Sequence, residues 1–158
     1  MVLAAYLLML LSQQTGSGSA LPNLRTIRPQ LEAEYRQIEQ GFRHDNPNPW
    51  IQRLALEFQL TMFNGEKQSR QWAVDYVLNN AKNFHVQKLS MRIEQLEAKD
   101  GDIIAVVKQQ SVRTFTDEKG QKHRLDVGAL QRETWELSSE GWRLKGVQEW
   151  KLLYLRKQ

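Results

Sequence analysis

Almost half of this chain, from His85 to the C-terminal end, alternates its side chains with a period of two. Four such stretches follow one another: His85 to Glu97, Ile103 to Thr116, Lys122 to Leu137 and Trp142 to Leu155. The separators are Asp100-Gly101, Asp117-Glu118-Lys119-Gly120 and Ser138-Ser139-Glu140-Gly141, and each contains a glycine that can turn a hairpin at positive φ without steric cost. The pattern predicts a four-strand antiparallel meander. Gly128 and Gly146 fall inside two of these long strands, where a glycine marks a bulge or a sharp bend, so the sheet is expected to be strongly curved.

The first half of the chain reads differently. Leu24, Ile27, Leu31, Tyr35, Ile38 and Phe42 recur at steps of three and four, which places them on one stripe of an α-helix. The opposite face carries Arg28, Glu32 and Arg36 at four-residue steps, with Glu39 four before Arg43, as on a solvated helix surface. Pro47 and Pro49 end that helix, and Asn48-Pro49 starts a short second one reaching about Ala55. Leu56, Phe58, Leu60 and Met62 then alternate with polar partners up to the turn pair Asn64-Gly65, which predicts a first strand from Leu56 to Phe63. Ser69 caps a third helix whose stripe is Trp72, Ala73, Tyr76, Val77, Ala81 and Phe84. The order of elements defines an α+β domain, with three helices roofing one face of a bent sheet and a hollow between them.

Residues Val2 to Leu11 form an apolar run followed by the small, polar stretch Ser12 to Ala20, and no charge precedes Arg25. A run of about half the ~20 residues needed to span a bilayer, ending near Gly18-Ser19-Ala20, has the shape of a signal peptide cleaved after Ala20. Residues 1–20 are therefore expected to be a leader, or an uncleaved anchor, and 21–158 a single exported domain, periplasmic or extracellular. Any membrane contact is expected to run through residues 1–20 alone. The chain has no cysteine, which removes disulfides, thiolate metal sites and cysteine nucleophiles. Its net charge of +4 is spread over both halves, not gathered on one face, so nucleic acid is not an expected partner. His44, His85 and His123 lack the spacing that would aim two imidazoles at one ion, and the chain carries no phosphate loop, dinucleotide fingerprint or nucleophile elbow. No metal and no cofactor are expected.

Three local patterns carry a family likeness: Glu34-Tyr35-Arg36-Gln37-Ile38 through Phe42, the Asn64-Gly65 turn, and Glu133-Thr134-Trp135 with Gly141-Trp142-Arg143-Leu144 across the last hairpin. From Leu24 to about Tyr154 the chain resembles the nuclear transport factor 2-like superfamily, in particular its SnoaL-like and uncharacterised exported members. The resemblance implies a cone-shaped α+β domain, homodimerisation through the sheet, and functions ranging from isomerases, hydrolases and dehydratases to binding or assembly modules. The ketosteroid-isomerase-like members pair a first-helix tyrosine with an aspartate base near the end of the first strand. Tyr35 matches the first, but Leu56 to Phe63 contains no aspartate. The Asp-Arg-Asp arrangement of epoxide-hydrolase-like members is also missing around Arg132.

Strand parity selects the candidate site. Ala129, Gln131, Glu133, Trp135 and Leu137 share one side of their strand, while Trp142, Leu144, Gln148, Trp150, Leu152 and Tyr154 share one side of the last. His85 has the parity of Leu89, Met91 and Ile93. Tyr35, His85, Gln131, Glu133, Trp135, Gln148 and Trp150 are thus the expected ligand-binding residues, and Glu133, desolvated among tryptophans, the candidate acid/base. The sequence favours a non-catalytic domain that binds a small apolar ligand or serves as a dimerisation or assembly module. The alternative is a cofactor-free isomerase, lyase or hydrolase using Glu133 with Tyr35 or His85.

Overall fold

A computed structural model describes residues 23–158; the leader expected at residues 1–20 lies outside them. The elements are α1 (Leu24–Arg43), α2 (Asn48–Ile51), β1 (Leu54–Thr61), β2 (Lys67–Ser69), α3 (Arg70–Asn83), β3 (His85–Lys99), β4 (Asp102–Thr116), β5 (Lys122–Ser138) and β6 (Gly141–Lys157). They build one six-stranded sheet in the order β2-β1-β6-β5-β4-β3. β3 to β6 form the antiparallel meander, and β1 adds to β6 in parallel. Among the described residues no helix is long and apolar enough to cross a membrane.

α1 begins where the Asn23 side chain accepts the Arg25 N–H, satisfying one donor that the first turn leaves open. Its stripe of Ile27, Leu31, Tyr35 and Ile38 is buried against Ile93 of β3, Ile103, Ala105 and Val107 of β4, Trp135 of β5, and Leu144 and Val147 of β6. Burying aliphatic chains of this size stabilises the fold by about 1.5–3 kcal/mol each, so one helix face supplies much of the core. Polar ties fix its orientation: Arg28 donates to the Ile93 carbonyl at 3.1 Å, and the Met91 N–H donates to Glu39 at 2.6 Å. At its far end the chain turns back so closely that a Cβ on Gly41 would stand 2.6 Å from the Asn46 carbonyl oxygen. Only glycine fits there, and the close approach brings α2, with Trp50, onto Phe58 in an edge-to-face contact at 5.8 Å.

Bulges shape the sheet. Between Gly141 and Lys157, β6 uses three more residues than β5 uses opposite it, with register shifts beside Thr134/Trp135, Leu130/Gln131 and Gly128/Ala129. Two of the shifts fall at the glycines expected to bend the strands, Gly146 and Gly128. At Gly128 the Tyr154 ring lies where a Cβ would be, 2.4 Å away. Each extra residue bends and twists its strand, which is how an antiparallel sheet wraps around a helix instead of lying flat. β1 is irregular too: its pairing with β6 shifts between Leu54 and Gln59, so Leu54, Ala55 and Phe58 turn inward. Leu56, expected in the core by simple alternation, is 91% exposed as a result. The first strand also starts two residues earlier than expected, and Lys67–Ser69 forms the short strand β2 that the alternation did not reveal.

Candidate functional site

A buried polar cluster sits where α1 crosses β5. Tyr35 is the third buried residue of the α1 stripe, and Glu133 and Trp135 project from the same face of β5 beneath it. The Tyr35 hydroxyl donates to Glu133 Oε2 at 2.7 Å, the Trp135 Nε1–H donates to the same oxygen at 2.8 Å, and Gln131 Nε2 donates to Oε1 at 2.5 Å. Trp135 Nε1 also lies 3.2 Å from the Tyr35 hydroxyl, and the two rings meet edge to face at 5.8 Å. Three donors on a buried carboxylate satisfy it without a counter-charge. Burial nonetheless pushes the Glu133 carboxyl above its usual range, against the pull of the three hydrogen bonds. Tyr35 is pushed well above the ordinary phenol value, first by burial and then by the adjacent carboxylate.

Beside this cluster a cavity of about 200 Å³ opens between α3 and the concave face of the sheet. The α3 stripe read from the sequence supplies one wall through Ala73, Tyr76, Val77, Ala81 and Phe84, joined by Asn80. Ile38, Phe42 and Trp50 close the α1 end; Val86, Leu89 and Met91 of β3 form the floor together with Gln109, Ser111 and Arg113 of β4. Gln131, Val147 and Glu149 complete it on β5 and β6. Glu149 is half-buried, accepts the Phe63 N–H at 3.2 Å, and is pushed above the usual carboxylate range by burial.

The structure brings together only part of the expected site. Gln131 lines the cavity, whereas Tyr35, Glu133 and Trp135, each 1% exposed or less, lie behind its wall and reach it through Gln131. Gln148 and Trp150 face away from it: Gln148 is exposed, and Trp150, 53% exposed, stacks beneath the Arg132 guanidinium at 5.7 Å. The bulge at Lys145, between Leu144 and Gly146, reverses parity, so that Val147 and Glu149 point inward instead. His85 is half exposed at the cavity's edge, its Nδ1 3.0 Å from both oxygens of Asp45, and borders a shallower outer depression of about 540 Å³ with Lys82 and Phe115. The sequence reading overlooked Gln109, Ser111 and Arg113; the alternation from Ile103 through Val107, carried along β4, puts all three on the inner face. Among the described residues no three His, Asp or Glu side chains converge as metal ligands would.

These features define a class. No family model and no curated protein matches the chain. Solved structures do: a nuclear transport factor 2-like protein from Cytophaga hutchinsonii superposes with a TM-score of 0.59 at 9% identity, over 80% of this chain and 97% of its own. A Kribbella flavida protein gives 0.68 at 9% identity, over 85% of this chain and 95% of its own. A hexachlorocyclohexane dehydrochlorinase gives 0.63 at 10% identity, over 85% and 90%. The chain has the nuclear transport factor 2-like fold, the α+β cone that its first helix and last hairpin resemble.

Proposed function

We propose that this domain is a non-catalytic binding module that holds a small, largely apolar molecule in the cone, and that it is exported and works as a homodimer through the outer face of its sheet. The observation that carries the reading is the cavity itself: a hollow with mainly apolar walls and a few inward polar groups has the make-up of a small-ligand site. Its strongest acid/base candidate, Glu133, is fully hydrogen-bonded behind the wall, so a substrate in the cavity meets Gln131 and not the carboxylate. This favours binding over the isomerase, lyase or hydrolase alternative, although one neighbour in fold is named a dehydrochlorinase. On the outer face, Trp150 remains 53% exposed beneath Arg132, which suits a self-complementary contact.

Native mass spectrometry of the protein purified from its own host tests the three parts together. The expected spectrum is a dimer of chains beginning after Ala20, each carrying a small molecule that denaturation releases. A ligand-free, full-length monomer overturns the reading. Val77→Trp, which fills the cavity, is expected to remove the bound molecule while leaving the dimer intact.

A further inference from the structure

The inner face of β4 changes character along its length. Ile103, Ala105 and Val107 are buried beneath α1, whereas Gln109, Ser111 and Arg113 continue the same face into the cavity. Arg113 is the single basic side chain among the described residues that line it. Its Nε donates to Ser111 Oγ at 3.2 Å, and none of the ion pairs among the described residues includes it. Residues 1–22 contain no Asp or Glu that could serve as its partner.

Two carboxylates share the cavity, and both are engaged elsewhere. Asp45 is held by His85, which sits beside the Arg113 end because Val86 pairs with Arg113 and His85 with Thr114. Glu149 holds the Phe63 N–H and lies at the other end, opposite Gln131, which pairs with Val107 six positions from Arg113 along β4. The hollow therefore carries a cation outside any ion pair at one end, where Asp45 is taken up by His85, a second carboxylate at the other, and Val77, Leu89 and Met91 between. A partly desolvated guanidinium without a counter-charge is costly, and its planar fork of N–H groups matches a carboxylate bidentately. Burial already holds Arg113 below the usual guanidinium value, as expected where the charge lacks an anion.

We infer that the cavity takes a small monocarboxylate, its carboxylate seated on Arg113 and its apolar body lying between α3 and β3 with the far end towards Gln131 and Glu149. The inference rests on the ligand-binding reading and adds the chemical class and the orientation. Glu149 repels a reversed ligand, so the two ends are not equivalent. A dry cavity of about 150 Å³ holds a benzene molecule, so the present volume of about 200 Å³ suits a ligand of about eight non-hydrogen atoms.

The test is calorimetric titration of the full chain at pH 7 with hexanoate and, separately, with its neutral amide, on the wild type and on Arg113→Gln. The acid is expected to bind the wild type about tenfold or more tightly than the amide, the worth of one charge-assisted hydrogen bond. Arg113→Gln is expected to erase that preference and to leave amide binding within about twofold. Equal binding of acid and amide to the wild type overturns the anion inference while leaving the apolar cavity reading standing. A preference that survives Arg113→Gln also overturns it, and failure of both probes to bind refutes both readings. The wild-type comparison needs no variant, so the inference can fail even if Arg113→Gln does not fold.

Discussion

Replacing Glu133 by glutamine isolates what burial does to a carboxylate already given three donors. The substitution keeps the shape, and the polar contacts can be rebuilt: the new amide oxygen accepts from Tyr35 and Trp135, while its NH2 donates to Gln131 once the Gln131 amide turns over. What changes is the charge. Burial raises the folded-state value of Glu133 above its unfolded value of 4.5. Stability tied to this group is therefore complete below that unfolded value and is lost as pH rises through the folded one, with a limiting slope of about 1.4 kcal/mol per pH unit. Glu133→Gln is expected to match the wild type within about 1 kcal/mol near pH 4.5, and to become the more stable protein as pH rises, because it has no charge to desolvate. Glu133→Leu, by contrast, strands the Tyr35 hydroxyl and is expected to cost about 1–3 kcal/mol at every pH. Urea unfolding of the three proteins between pH 4.5 and 8 reads both effects. Parallel wild-type and Glu133→Gln curves across that range would refute the reasoning, since the carboxyl would then ionise alike in the folded and unfolded chains.

Three further outcomes follow from close contacts. Gly128→Ala puts a methyl group into the Tyr154 ring and is expected to lower stability by about 1–3 kcal/mol; Gly128→Ala combined with Tyr154→Ala should cost less than the sum of the single changes in thermal melts. Gly41→Ala meets the Asn46 carbonyl, which cannot swing aside as a ring can, so it should cost about 2 kcal/mol or more and loosen the Trp50–Phe58 contact, read as a change in near-ultraviolet circular dichroism. Trp135→Phe removes a buried N–H shared by Glu133 and Tyr35 together with half an indole, and about 2–4 kcal/mol should be lost in chemical unfolding.

The sequence made the elements legible wherever a period repeated without a break. The α1 stripe from Ile27 to Ile38 is buried as its spacing demands, the α3 stripe lines the cavity, and the glycine turns separate four long strands. Parity failed where strands bulge. Gln148 and Trp150 share the sequence parity of Leu144, but Lys145 has no residue opposite it on β5, so the sides are exchanged from there to the next bulge, at Trp150. Leu56 is misread for the same reason on β1. A bulge depends on a neighbouring strand far away in the chain, and alternation within one strand cannot report it. Glu133 was found because an acid among tryptophans is conspicuous, but whether it meets the hollow or lies behind the wall depends on how α1 lies across β5.

The surplus of three residues on β6 makes that strand a counting device. A loop absorbs an insertion or a deletion with little consequence, yet pairing Lys145 with Thr134, so that the bulge is lost and its residue kept, would restore simple alternation and exchange the roles of Val147 and Gln148, then of Glu149 and Trp150. The cone would acquire an amide and an indole in place of a valine and a carboxylate, and its outside would gain the groups it now hides. The place at which this strand bulges is thus under as tight a constraint as side-chain identity in the core, although Lys145 itself carries only partly exposed ion pairs with Asp102 and Glu136.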